Sequence, residues 1–215
     1  MPLTEMMNNV LNENKGAAPG AARGEFAPGD HVCALYPSLA DRDDILNHYL
    51  REGLSDGDKC IYVTESNDSA SVLSSLGVDV DLAPFLARHQ LDVRWAAEAF
   101  LRDGSIFSTD MVVEFWDHTM QEAISGGFTF GRGAGEMTWA LGLLPDIREL
   151  VLYESRLNRF LPRYPQMYLC MYDLARFGDD TLVDVLKVHP KVMLGRMVLN
   201  NPYYIEPDEF LATAQ

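Results

Sequence analysis

The side chains of this sequence that could do chemistry fall into a few short groups. His31 and Cys33 stand two apart in HVCALY, a spacing that places both on one face of a strand. An imidazole and a thiol so placed could contact a small ligand or begin a metal site. Equally, Cys33 could pack as a small apolar residue while His31 closes the strand end. A metal would need partners from elsewhere; Cys170 and His189 are the candidates, and no CxxC or HxxxH spacing accompanies them. Glu65 follows KCIYVT, and Glu136 stands in GRGAGEMTWAL behind Gly131, Gly133 and Gly135 and ahead of Trp139. Glycines at a strand end allow close approach to the backbone or a bend. Glu136 is therefore either solvated on a glycine-kinked loop or lines a pocket with Trp139, with Arg132 or Arg176 as the cation that faces it. Tyr153 and Glu154 lie in an apolar helical stripe with Asn158 one turn on, which calls for a buried carboxylate with a partner. Asp173 closes the run MYLCMY, and Arg176 follows as its expected ion-pair partner. No serine elbow or triad is present, and no residue is assigned a catalytic role.

Tyr36 ends the first apolar run where a phosphate loop would begin. Such a loop needs glycines for close backbone approach and a lysine for the terminal phosphates. Residues 36–44 hold neither, and carry Asp41, Asp43 and Asp44 instead. ATP hydrolysis by that route is not expected.

The elements that must hold these residues alternate. Strands are expected at 31–36, 59–64, 91–95, 128–132 and 167–172, with an edge strand at 203–205. Helices are expected at 40–53, 69–76, 110–125, 145–160 and 181–188. Strand–helix alternation at this spacing argues for right-handed βαβ units, hence an α/β fold with a mostly parallel sheet and helices on both faces. In such sheets ligands bind beyond the carboxyl ends of the strands, which singles out the segments after Tyr36, Thr64, Arg132 and Tyr172. Residues 1–28 read as a flexible tail and linker, with Leu3, Met6, Met7, Val10 and Leu11 at helical spacing before a Gly/Ala/Pro stretch. A docking or dimerisation helix is the alternative there. Residues 29–215 read as one domain.

Composition narrows the classes of function. The 215 residues carry 32 acids against 17 bases, a formal charge of −15. That field repels phosphate backbones and anionic lipid, so direct nucleic-acid or membrane binding is not expected. Three unpaired cysteines suit a reducing cytoplasm, and the N-terminus shows no secretory signal.

The segments GDHVCALYPS, KCIYVTES, GEMTWAL, LVLYESRLN, LCMYDLARF and VLKVHPKVMLGRMVLNNPYY, in this order, resemble the MEDS family of methanogen/methylotroph sensory domains. The likeness runs from about Pro28 to Phe210. It implies a RecA/KaiC-like fold that has lost its functional P-loop, and a role in sensing small molecules, simple hydrocarbon derivatives among them. On the residues, His31 and Cys33 match the family's His-x-Cys strand, and Gly135, Glu136 and Met137 its Gly-Glu-Met segment. Tyr153 and Glu154 match its Tyr-Glu segment, and His189 and Pro190 its His-Pro. Family members often continue into an output module. The expectation here is a stand-alone sensor that signals through a protein partner, its ligand contacted by His31, Cys33, Tyr36, Glu65, Glu136, Trp139, Tyr153, Glu154, Asp173 and His189. No cofactor is named. The alternatives are an enzyme using Glu65 or Glu136 as base, with or without a metal, and an acidic adaptor that binds no ligand.

Overall fold

A computed structural model describes residues 1–13, 26–65, 69–78, 80–101, 107–195 and 197–213. Along the chain run α1 (Leu3–Glu13), β1 (His31–Tyr36), α2 (Leu39–Asp56), β2 (Lys59–Thr64), α3 (Ser69–Leu76), α4 (Ala83–Ala87), β3 (Leu91–Trp95), α5 (Ala96–Phe100) and α6 (Thr109–Ser125). β4 (Gly131–Glu136), α7 (Ala140–Leu143), α8 (Arg148–Phe160), β5 (Gln166–Asp173), α9 (Asp179–Val188), β6 (Lys191–Leu194), β7 (Met197–Asn200) and α10 (Pro207–Thr213) complete it. The strands form one sheet in the order β3-β2-β4-β5-β1-β6-β7, parallel throughout except for β7, which runs antiparallel to β6. The expected α/β architecture, a mostly parallel sheet with helices on both faces, is the one found.

Alternation along the central strands sorts side chains to two faces. Val32, Ala34 and Tyr36 of β1 join Met167, Leu169 and Met171 of β5 on the face covered by α2, where Ile45, Leu46, Tyr49 and Leu50 pack. Cys33 and Leu35 join Tyr168, Cys170 and Tyr172 on the other face, under Trp116 of α6, Leu150, Tyr153 and Leu157 of α8, and Leu182 and Leu186 of α9. Burial on both faces explains why HVCALY and QMYLCMY read as continuous apolar runs and not as alternating ones.

Three expectations change. The fourth strand is Gly131–Glu136, not 128–132, so the glycines are strand interior and form no bend. The reason is packing: a Cβ on Gly133 would lie 2.2 Å from the Tyr168 ring, and one on Gly131 2.5 Å from Met120 Sδ. The glycines make room for large side chains of the neighbouring strand and helix to lie flat on the sheet. Residues 203–205 form a turn and loop; the edge is instead the hairpin β6–β7, built from KVML and MVLN around Gly195 at φ +58. Residues 3–13, read as part of a flexible tail, form α1, with Met6 and Val10 buried beside α9 and β7. Most of the linker expected at 16–27 lies outside the described residues, which resume at 26.

Candidate functional site

β1, β2, β4 and β5 end side by side on the α2 face, and their carboxyl ends open onto a cleft of about 400 Å³ lined by Tyr36, Arg42, Glu65, Glu136, Asp173 and Arg176, with Leu39 and Val72 as apolar wall. Four of the expected site residues therefore meet here: Tyr36, Glu65, Glu136 and Asp173.

Glu136 is the hub of the floor. Its Oε1 accepts from Arg42 Nη1 at 2.7 Å. Its Oε2 accepts from Tyr62 Oη at 3.3 Å, Thr64 Oγ1 at 3.1 Å and the Glu65 backbone N–H at 3.3 Å. Arg42 also donates to Asp43 Oδ1 at 2.6 and 2.9 Å. Burial works against the Arg42 charge, but the hydrogen bonds to Asp43 and Glu136 outweigh it and hold the guanidinium firmly protonated. Burial, with the Glu136 and Asp173 carboxylates nearby, pushes the Tyr36 phenol well above its ordinary range, so it stays a neutral donor. At the rim Arg176 Nη1 donates to Glu65 Oε2 at 2.7 Å.

Two partner assignments change with this geometry. The cation facing Glu136 is Arg42, neither Arg132 nor Arg176. Arg132 points the other way along α2 and binds Glu52, Asp56 and Asp58 at 2.8, 2.9 and 2.6 Å. Arg176 pairs with Glu65 and not with Asp173, whose Oδ1 accepts from the Ala175 N–H at 2.8 Å and shapes the turn after β5. Sequence reading missed Arg42 because it weighed Asp41, Asp43 and Asp44 as a block of negative charge. The available signal was a lone arginine one turn into the helix that follows β1.

Trp139 and Tyr153 are not cleft residues. Both are core, on the opposite side of the sheet: the Trp139 ring lies edge-on to Phe100 at 5.0 Å, and Tyr153 Oη accepts from Trp116 Nε1 at 3.1 Å. A short 3-10 turn at Met137–Trp139 carries the chain across the end of the sheet, so Thr138 lines the cleft while Trp139 goes inward.

His31, Glu154 and His189 form a second group on that same opposite face, all fully buried. His31 Nε2 stands 3.1 Å from Glu154 Oε2, and His189 Nε2 3.6 Å from it. Cys170 Sγ lies 3.4 Å from both Glu154 Oε2 and His31 Nε2, and Tyr172 Oη donates to Glu154 Oε1 at 2.5 Å. Desolvation alone would raise the Glu154 pKa. The His31 hydrogen bond, the closeness of both imidazoles and the Tyr172 hydroxyl prevail and lower it. Cys33 lies on this face but serves the apolar core, and burial first, then Glu154, pushes its thiol far up. The expected carboxylate partner is thus present, while the expected pairing of His31 with Cys33 gives way to His31 with Cys170.

The β1–α2 connection is short. Pro37 and Ser38 alone separate the strand from the helix, and the Ser38 hydroxyl caps the helix by accepting from the Asp41 N–H at 3.3 Å. The Asp41 N–H therefore meets a serine hydroxyl, which itself donates to the Asp41 carboxylate, where a phosphate loop would present its amides to phosphate. Calorimetry with ATP and magnesium is expected to give a dissociation constant weaker than about 10 µM, roughly −7 kcal/mol. Tighter binding would show that the cleft accepts triphosphate despite its acids.

Comparison with known proteins settles the family. The model of the MEDS domain (methanogen/methylotroph, DcmR sensory domain) matches residues 30–190. The chain belongs to the MEDS family. It is also 29% identical over 183 residues to the transcriptional repressor DcmR of Methylorubrum extorquens, covering 85% of this chain. The chain spans 65% of that repressor's length. Among solved structures, a KaiC-like protein from Pyrococcus horikoshii OT3 superposes with a TM-score of 0.58 at 13% identity, over 83% of this chain and 78% of its own. The flagellar accessory protein FlaH from Methanocaldococcus jannaschii gives 0.56 at 8%, over 88% and 85%. Both show the RecA/KaiC-like fold and nothing finer. The family is described as a sensory domain. No helix among the described residues is long and apolar enough to cross a membrane.

Proposed function

We propose that this MEDS domain is a non-catalytic cytoplasmic sensor whose small-molecule ligand enters the cleft at the strand ends and competes for the Arg42–Glu136 pair. The observation that carries this reading is the commitment of Glu136. Both its oxygens already accept hydrogen bonds, from Arg42 on one side and from Tyr62, Thr64 and Glu65 N–H on the other. Four donors already converge on this carboxylate, which leaves little room for a substrate proton and weighs against the enzyme alternative. It does form a poised contact: a ligand with one polar end can take the place of either partner, while Leu39 and Val72 meet its apolar end. Because Arg42 belongs to α2, exchange of that contact moves a helix that is amphipathic and solvent-facing, a surface a protein partner can read. The formal charge of −15 favours a protein over direct DNA contact as that partner. Residues 29–215 make up the sensing unit in this reading, braced by α1 beside α9 and β7.

The test is a panel of simple hydrocarbon derivatives (short alcohols, halomethanes and carboxylates) screened by thermal shift and then titrated. A compound that binds should lose roughly tenfold or more in affinity to Glu136→Gln, since a hydrogen bond to a charged group contributes about 1.5–3 kcal/mol. Glu5→Gln in α1 should leave affinity unchanged. A binder held equally well by wild type, Glu136→Gln and Arg42→Ala would place the pocket elsewhere.

A further inference from the structure

We propose that His31, Glu154, Cys170 and His189 bind one divalent transition-metal ion of the zinc type, in a closed site independent of the cleft. The ligand atoms of these four residues all lie within 4.8 Å of one another and all four side chains are buried. A tetrahedral zinc with nitrogen and oxygen ligands near 2.0–2.1 Å and sulfur near 2.3 Å sets edges of about 3.3–3.6 Å between them. Four of the six separations, 3.1, 3.4, 3.4 and 3.6 Å, lie close to those edges, and all six are within 4.8 Å.

The proton inventory points the same way. His189 Nδ1 donates to the Val185 carbonyl at 2.8 Å, which leaves Nε2 as a bare lone pair. That atom is buried and has no hydrogen-bond partner. On the other imidazole, Asn158 Nδ2 donates to the Val188 and Glu154 carbonyls at 2.7 and 3.3 Å, so Asn158 Oδ1 is the acceptor for His31 Nδ1 at 3.0 Å. His31 Nε2 then points inward, 3.1 Å from a carboxylate oxygen of Glu154. A proton on His31 Nε2 would answer Glu154 but leave His189 Nε2 orphaned; a cation answers both. Second hydrogen bonds that fix a ligating histidine's tautomer are the usual company of a metal site, and here both imidazoles have one. Glu154, held by Tyr172 at its other oxygen, and Cys170 as thiolate would together neutralise a doubly charged ion. A coordinating ion displaces the proton of a thiol it binds, so Cys170 enters the site as the thiolate. With four protein ligands drawn from β1, α8, β5 and the end of α9, the site is of the structural kind, without an open position.

The experiment uses the full chain, refolded with one equivalent of Zn²⁺ or Co²⁺ and passed through gel filtration before elemental analysis and visible spectroscopy. One retained ion per chain, and a cobalt spectrum with tetrahedral bands plus a thiolate charge-transfer band, are expected. Cys170→Ser should abolish the charge-transfer band, and Cys60→Ala should leave it intact. Asn158→Ala, which removes no ligand but takes away the acceptor that orients His31 and the donor to the Val188 and Glu154 carbonyls, should weaken metal binding about 10- to 100-fold, and remains informative if the ligand variants do not fold. A wild-type chain that folds yet retains neither ion overturns the proposal. So does a cobalt spectrum without the thiolate band.

Discussion

Gly133→Ala should destabilise the domain by about 3 kcal/mol or more, at the upper end of what overpacking costs. Its new Cβ would sit 2.2 Å from Cδ1 and Cε1 of Tyr168. That ring cannot step aside. It lies edge-on to Trp116 at 4.4 Å, is flanked by Phe160, and its hydroxyl donates to Gln166 Oε1 at 3.0 Å. Gly131→Ala is the informative contrast. There the obstacle is the thioether end of Met120, at 2.5 and 2.6 Å, which has other rotamers to adopt. Chemical denaturation of the two variants should therefore separate them by about 2 kcal/mol, beyond the strand propensity that both alanines share. Equal losses would mean that the glycines answer to backbone conformation and not to the ring above them.

Arg132→Leu should cost about 3 kcal/mol, because removing one partner of a buried ion pair strands the other. Arg132 Nε donates to Asp58 Oδ2 at 2.6 Å, and the two side chains are 7% and 11% exposed. Burial raises the Asp58 pKa, while the hydrogen bond and charge of Arg132 oppose that rise. Without the arginine the opposing influence is gone, and Asp58 must either stay charged in a poor solvent or take up a proton. The variant's stability deficit should therefore shrink as pH falls through the acid range, where a protonated Asp58 no longer needs its cation. Glu52 and Asp56 contribute less, being 44% and 56% exposed in their side chains. The double variant Arg132→Leu with Asp58→Asn should recover part of the loss, since it leaves no buried charge alone. A deficit that ignores both pH and the second substitution would make Arg132 a packing residue beneath Phe26 and Tyr49, 5.8 and 5.7 Å from their rings.

The readable parts of this fold are those in which one physical signal acts alone. β2 and β3 carry the bounds expected of them, and α3 likewise, because apolar runs and a glycine stop mark their ends without competition. β4 was legible only as a strand somewhere near 130. Its glycines carry no hydrophobic signal, and their meaning depends on Tyr168 and Met120, both distant in sequence. The aromatic pair at 203–204 has strand propensity but no strand beside it, whereas KVML and MVLN pair through a turn that contains Gly195. At the site, acids at strand ends were visible as candidates, since the fold rule places ligands there. Which cation meets which acid was not. Arg42, Arg132 and Arg176 each reach a carboxylate on another element, and that choice is made by helix phase and tilt, which no local spacing encodes. Trp139 shows the same limit on a smaller scale: one 3-10 turn separates it from a cleft residue and sends it to the other side of the sheet.

The strand order sets a timetable for biosynthesis. β1 lies between β5 and β6, pairing His31 with Tyr168 and Val32 with Lys191. At ordinary translation speeds the ribosome needs on the order of ten seconds to reach β5 once β1 has emerged. Throughout that interval a six-residue apolar segment, buried to the last residue in the finished sheet, has no neighbour on either side. Parallel pairing across so long a loop is slow to nucleate even after both strands are available. The nascent chain is thus a natural client for holding factors. A message cut short before codon 166 would yield not a smaller sensor but an unpaired strand seeking partners in other copies of itself.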